Sequence, residues 1–248
     1  MLKFTDISKS FDGTVALDGF SAEVPEGAVV GLVGPNGAGK TTLFNVVTGF
    51  LRPDAGEVLY RGRRLTGIPP HKVSRVGIAR TFQELRLIYR MTLLENVMLA
   101  FPRQVGESPA GAFALWPVVG KQERRNRDEA VELLEYVGLA EKAGDLADNL
   151  SYGQQKLLAL VCCLAAGGEL LLLDEPVAGV APMMVEKILD LIRDLKARGK
   201  TVVLIEHNFA AVTDVCDRVI FMDEGRGVAE GTPDEIRANP EAIESYLT

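Results

Sequence analysis

The chain has 248 residues, with 27 Lys and Arg against 34 Asp and Glu, a net charge of −7. Apolar residues make up 47% and charged residues 25%, the balance of a soluble globular protein with chain enough for one large domain or two lobes. The acidic balance and the lack of a long basic block argue against a sequence-independent grip on nucleic acid.

Residues 1–30 alternate short apolar segments with turns, which predicts antiparallel strands ahead of a central sheet. Phe11 falls in a Ser-Phe-Asp-Gly turn, where core packing and stacking on a nucleobase are equally compatible with the residues. Ala28 to Val33 is an apolar run of strand character. Gly34-Pro35-Asn36-Gly37-Ala38-Gly39-Lys40-Thr41-Thr42 follows, and Leu43 to Gly49 reads as a helix closed by a glycine. Strand, glycine-rich loop, Gly-Lys-Thr and helix form a phosphate-binding loop. Glycines let backbone N–H groups ring an anion, and the helix points its positive end at it. Lys40 adds a mobile charge for the β- and γ-phosphates, and the Thr41 hydroxyl is a ligand for Mg²⁺.

Residues 51–80 return to short strands and turns, and a strand is expected over Val76–Phe82, ending at Gln83. A glutamine at a strand's carboxyl end could reach a phosphate-bound Mg²⁺ or water, although without context a surface loop amide is the better reading. From Glu84 to Ala166 the pattern turns helical. Thr92 with Glu95 is the arrangement of a capping box. Gly106 to Gly120 reads as a loop. Ala130, Val131, Leu133, Leu134 and Val137 are spaced for a helix over Glu123–Val137 that stops at Gly138. The basic stretch Lys121–Arg127 is broken by Glu123 and reads as a solvated helix face.

Ser151 is a plausible N-cap for a helix running to Ala166, and a Ser-x-Gly turn at a helix start is also an anion site. The apolar window Leu157–Leu173 is interrupted by Gly167-Gly168-Glu169 and falls short of the about 20 residues that span a bilayer. It is predicted as a buried helix and then a buried strand, which places the protein outside the membrane. Asp174, carried to the strand's carboxyl end, can hold Mg²⁺, and Glu175 can orient and deprotonate a water. The alternative is an Asp-Glu cap before a helix.

Met183–Ala197 is predicted as an amphipathic helix with Val185, Ile188, Leu189, Ile192 and Leu195 inward. Thr201 to His207 reads as a buried strand. Its terminal His207, one of only two histidines, is either a γ-phosphate sensor or an ordinary surface residue. An edge hairpin and a helical tail complete the chain. Cys162, Cys163 and Cys216 lack metal-ligand spacing, and with no apolar secretory segment at the start, reduced cytoplasmic thiols are expected.

The ordered set GPNGAGKTT, TFQ, LSYGQQ, LLLLDEP and IEH resembles the ATP-binding cassette (ABC) ATPases over essentially the whole length. That resemblance implies an α/β fold: a P-loop core with a mixed or parallel central sheet, an N-terminal antiparallel β subdomain and an inserted α-helical lobe. One cassette would fill 1–248, with the core at 1–83 and 168–248 and the helical lobe at 84–167. Phe11 would stack on adenine, and Gly34, Pro35, Asn36, Gly37, Ala38, Gly39, Lys40, Thr41 and Thr42 would wrap the phosphates of ATP. Thr41, Gln83 and Asp174 would meet Mg²⁺. Glu175 would be the general base, and His207 would contact the γ-phosphate. Ser151, Gly153 and Gln154 would contact ATP held by a second ABC ATPase subunit, so a dimer is implied.

More narrowly, GIPPHKVSRVGIARTFQ, RLIYRMTLLENVMLAF and AEGTPDEIRANPEAIESYL resemble the ATPase subunits of branched-chain amino-acid importers. This implies integral membrane permease partners, an indirect link to a solute-binding protein, and a peripheral position on the cytoplasmic face of the membrane. Leu85, Leu87, Ile88, Tyr89 and Met91 would form an exposed apolar surface for a permease helix. The chain departs from many cassettes at Tyr152, at Leu157, and in the loop Val177–Pro182, which lacks an Asp. Urea or amide uptake and lipid-linked glycan export are the alternative cargoes. A non-transport cassette acting on nucleic acid or ribosomes is disfavoured, because no second cassette or coiled-coil insertion is present. A GTPase is disfavoured by the lack of an Asn-Lys-x-Asp motif.

Overall fold

The structure is a computed structural model that describes residues 1–105 and 116–240, with Trp116 described by its backbone alone. The chain contacts divide it into two units. The first comprises Met1–Arg80, Glu169–Ala178 and Pro182–Thr248; the second comprises Thr81–Gly168 and Gly179–Ala181.

The first unit holds two sheets. Strands β1 (Leu2–Phe11), β2 (Thr14–Val24), β4 (Ala55–Tyr60) and β5 (Arg63–Arg64) form an antiparallel sheet in the order β2-β1-β4-β5. Here sequence and structure agree. The larger sheet runs β10-β9-β3-β8-β7-β6, with β3 (Val29–Val33), β6 (Ile78–Arg80), β7 (Leu170–Asp174), β8 (Thr201–Ile205) and β9 (Arg218–Asp223) parallel. β10 (Arg226–Gly231) closes one edge antiparallel to β9. Every residue of β3, β7 and β8 is buried, which is why these strands read as unbroken apolar runs rather than alternations. Helix α1 (Lys40–Val47) contributes Leu43, Phe44 and Val47 to a core shared with Ile7 and Phe20 of the small sheet and Leu32, Ile205 and Met222 of the large one.

The expected strand over Val76–Phe82 is shorter: only Ile78–Arg80 pair with β7, after the short helix α2 (Pro70–Ser74). Gln83 therefore lies three residues beyond the strand, exposed, in the second unit. That unit packs α3 (Leu93–Ala100), α4 (Trp116–Tyr136) and α5 (Tyr152–Ala165) on one another. Its core includes Leu93, Val97, Ala130, Leu134, Val137, Leu157 and Val161. Thr92 and Glu95 form the predicted capping box. Helix α4 begins at Trp116, seven residues before the predicted Glu123, so the C-terminal part of the expected loop 106–120 is helical. Residues 106–115 lie outside the described residues, as does 241–247 of the importer-like tail. Leu157, at a position that departs from many cassettes, is 1% exposed and is a core residue.

The predicted apolar surface at 85–91 needs correction. Leu87 is buried and Leu85 and Met91 are half-buried, while only Ile88 and Tyr89 are exposed. The side chain of Asn96 draws this segment in, donating to the carbonyls of Ile88 and Met91 and accepting from the Ile88 N–H. Helices α6 (Pro182–Ala197), α7 (Phe209–Val215) and α8 (Pro233–Arg237) complete the first unit. On α6, Ile188, Leu189, Ile192 and Leu195 are buried as predicted, Leu191 joins them, and Val185 is half-buried.

Candidate functional site

Gly34 to Gly39 connect β3, in the interior of the parallel sheet, to α1. The turn passes so close to β9 that a Cβ on Gly34, whose φ is 149°, would stand 1.9 Å from the carbonyl oxygen of Met222. Glycine is required there by contact as well as by conformation. Helix α1 has neither a side-chain N-cap nor an acidic residue in its first turn. Its leading N–H groups and positive end are thus left for an anion, in the order the loop chemistry demands.

Lys40 is buried, and its Nζ donates to the carbonyl oxygens of Gly34 and Pro35, each at 2.7 Å. Burial pushes its pKa below the ordinary lysine value, and the carboxylates of Glu175 and Asp174 pull it back up. The cation is therefore electrostatically coupled to both acidic candidates. Thr41, at the start of α1, is exposed and Thr42 is half-buried.

β7 and β8 are paired in parallel with Asp174 opposite Ile205, so Glu175 and the pair Glu206-His207 emerge side by side. Glu175 donates its backbone N–H to the Ile205 carbonyl at 2.9 Å. Its φ of 48° puts a non-glycine residue in the left-handed region, a strain that functional positions commonly hold. Its Oε1 lies 3.2 Å from Nε2 of His207. The sequence leaves His207 open between sensor and surface residue; the tertiary pairing sets it against the proposed base.

Asp174 is held by a residue that sequence reading did not single out. Arg80 Nη2 donates to its Oδ2 at 2.9 Å, with the two side chains only 4% and 3% exposed. The other guanidinium nitrogen, Nη1, donates to Oδ1 of Asn45 on α1 at 2.7 Å, and the group lies over the Phe44 ring at 5.2 Å. An arginine at the end of a sheet strand, in Ile-Ala-Arg, was the signal: a buried guanidinium needs a carboxylate partner. Glu206 was likewise missed. It is 2% exposed, and its Oε1 accepts the Val177 N–H at 2.8 Å.

The first unit thus brings together the loop 34–39, Lys40, Thr41, Asp174, Glu175 and His207. Among the described residues no group of three or more His, Cys, Asp and Glu could by itself hold a metal. Mg²⁺ keeps most of its ligands as phosphate oxygens and water and takes one or two oxygen ligands from protein. Thr41 and Asp174 are the residues here of the right chemistry. Gln83, Ser151, Gly153 and Gln154 belong to the second unit. Ser151 caps α5 and exchanges hydrogen bonds with Gln154, as its N-cap reading expects. The Tyr152 ring carries Lys156 Nζ at 5.1 Å and packs at Gly179. Phe11 ends β1, is 42% exposed and has Lys9 Nζ 5.4 Å from its ring centre, so it is not a core residue.

With a phosphate loop and two carboxylates at the same ends of parallel strands, the fold is that of a P-loop nucleoside triphosphatase. The sequence pattern of the family described as "ABC transporter" matches residues 17–178, and that of "Branched-chain amino acid ATP-binding cassette transporter" matches 228–247. The chain belongs to the ABC transporter family and is an ATP-hydrolysing, transport-coupled cassette of it. It is 38% identical over 248 residues to the high-affinity branched-chain amino acid transport ATP-binding protein LivG of Salmonella typhimurium, covering 100% of this chain and 97% of that one. BraF of Pseudomonas aeruginosa, which carries the same description, is also 38% identical over the same spans. Among solved structures, a nucleotide-free ATP-binding cassette from an ABC transporter superposes with a TM-score of 0.86 at 33% identity, covering 100% and 99% of the two chains. A cassette in its ADP conformation gives 0.85 at 34% identity, covering 100% and 98%. A dimeric bacterial ABC transporter cassette gives 0.79 at 27% identity, covering 94% and 99%.

Proposed function

We propose that this chain powers the uptake of branched-chain amino acids, as one of two cassettes docked on a membrane permease at the cytoplasmic face. The observation that carries the chemistry is the Glu175 carboxylate, 3.2 Å from His207 on the neighbouring strand tip and coupled to buried Lys40. The cargo rests on the full-length similarity to LivG and BraF and on the match at residues 228–247. No helix among the described residues is long and apolar enough to cross a membrane, so a permease would supply the path.

In this reading Lys40 exchanges its two loop carbonyls for the β- and γ-phosphate oxygens, and the N–H groups of the loop and of α1 hold the rest of the triphosphate. Glu175 orients a water and accepts its proton. His207, at hydrogen-bonding distance from that carboxylate, donates to a γ-phosphate oxygen and so reports whether the phosphate is present. Thr41 and Asp174 of the first unit would hold Mg²⁺, which would supply charge neutralisation of the phosphates. Phe11, exposed on its hairpin, stacks on the adenine. Ser151, Gly153 and Gln154 contact the nucleotide bound by the partner cassette, a reading supported by the dimeric form of a relative. The solvent-exposed Ile88 and Tyr89 are the part of the 85–91 segment offered to the permease.

Glu175→Gln tests the base. It keeps the size and hydrogen-bonding reach of the side chain but removes its proton affinity. ATP should still bind, with turnover falling by about 10²–10⁴-fold. Hydrolysis near the wild-type rate would refute the assignment. Uptake of labelled leucine by vesicles carrying the complete transporter tests the cargo, and transport that ignores leucine, isoleucine and valine would overturn it.

A further inference from the structure

We propose that Glu206 is a positioning residue for hydrolysis, holding the Glu175 turn and the His207 turn together as one piece. The inference rests on the roles given above to Glu175 and His207. It starts from where the ladder between β7 and β8 ends. Glu175 N–H still bonds to the Ile205 carbonyl at 2.9 Å. Two residues on, where a parallel ladder would repeat, the Val177 N–H meets the Glu206 side chain at 2.8 Å in place of a backbone carbonyl. The carboxylate extends the pairing past the strand tips at a point that is fully buried, where an amide without an acceptor is costly.

The consequence falls on both functional side chains. Glu175 lies between the β7 end and a turn anchored at Val177 by Glu206. His207 follows Glu206 directly and precedes Asn208, whose Oδ1 caps α7 by accepting from the Ala210 and Ala211 N–H groups. His207 is thus a single residue between two anchors. If the Val177 bond is lost, the Glu175 turn is loosened beyond its bond to the Ile205 carbonyl, and with it the 3.2 Å contact to His207. The bond is sensitive to length: a glutamine still presents an oxygen where Glu206 does, while an aspartate keeps the charge and withdraws it by one methylene.

The test is therefore Glu206→Gln against Glu206→Asp in the full chain. Each is measured for kcat, for the Kd of ATP, for melting temperature and for amide exchange over residues 175–178. The glutamine variant should keep kcat within about threefold and keep Val177 protected. The aspartate variant should lose kcat by on the order of tenfold to a hundredfold, the effect of misplacing a reacting group by about 1 Å. Its Kd for ATP should stay unchanged, while its melting temperature falls by about 2–12 °C because the buried Val177 amide loses its acceptor, and Val177 exchanges faster. Equal kcat for the aspartate variant and the wild type would overturn the proposal. So would an equal loss in both variants, because that would make the charge rather than the bond the important feature. Failure of the Glu175 assignment is read separately from Glu175→Gln, which leaves the Val177–Glu206 bond in place.

Discussion

Replacing Arg80 by methionine should destabilise the first unit while leaving its apolar packing largely intact. The arginine and Asp174 are bonded at 2.9 Å with side chains 4% and 3% exposed, so solvent screening does not dilute the pair. Methionine spans a similar length and can remain against Phe44, but it leaves the Asp174 carboxylate buried without its guanidinium. Removing one partner of a buried pair costs about 3–5 kcal/mol. A domain is stable by only about 5–15 kcal/mol, so this is about a fifth of the total or more. At about 2–4 °C per kcal/mol for a chain of this size, the melting temperature should fall by roughly 6–20 °C. Circular dichroism melts and urea titrations read the change. The double variant Arg80→Met with Asp174→Leu removes both charges and should recover most of the loss, since an apolar pair in place of a buried ion pair is about neutral. If Arg80→Met melts within about 2 °C of the wild type, or if the double variant is as unstable as the sum of the two single changes, the pair is not what holds Asp174.

Gly34→Ala should be far worse than Gly37→Ala, because the new Cβ at 34 would meet the Met222 carbonyl at 1.9 Å whereas the one at 37 meets nothing within 4 Å. Urea titration should show about 1 kcal/mol lost at 37 and several times that at 34; equal losses would refute the close-approach argument. Glu95 has its carboxyl held below the usual 4.5 by the Thr92 backbone N–H and then by the Thr92 hydroxyl. A lowered folded pKa means that its support of α3 is fully present above 4.5 and is lost as pH falls through the folded value. Glu95→Gln should flatten that acid limb, and an unchanged acid profile would count against it. Burial pushes the thiols of Cys162 and Cys216 up to about 12 and that of Cys163 higher still. At pH 8 the native protein should react with a thiol reagent on the order of a thousandfold more slowly than the urea-unfolded chain, which titrates three thiols; fast native labelling would contradict the burial.

Features that depend on residues a few positions apart were open to reading from the sequence alone. The phosphate loop, the Thr92–Glu95 capping box, the Ser151 N-cap, and the split of Leu157–Leu173 into helix and strand follow from local conformation and periodicity. Those are set within a turn or two of chain. The apolar runs at β3, β7 and β8 likewise read as strands, while their parallel pairing was implied by the family resemblance. Only the tertiary structure decided which charge meets which. Arg80 reaches Asp174 across 94 positions and Glu206 reaches Val177 across 29, and nothing in either local segment names the partner. It also decided that Leu87 is buried while Ile88 is exposed, since the Asn96 side chain fixes that turn from a helix away. A buried polar group must find its partner wherever the fold places one, and that place is a property of the packed chain rather than of its neighbours in sequence.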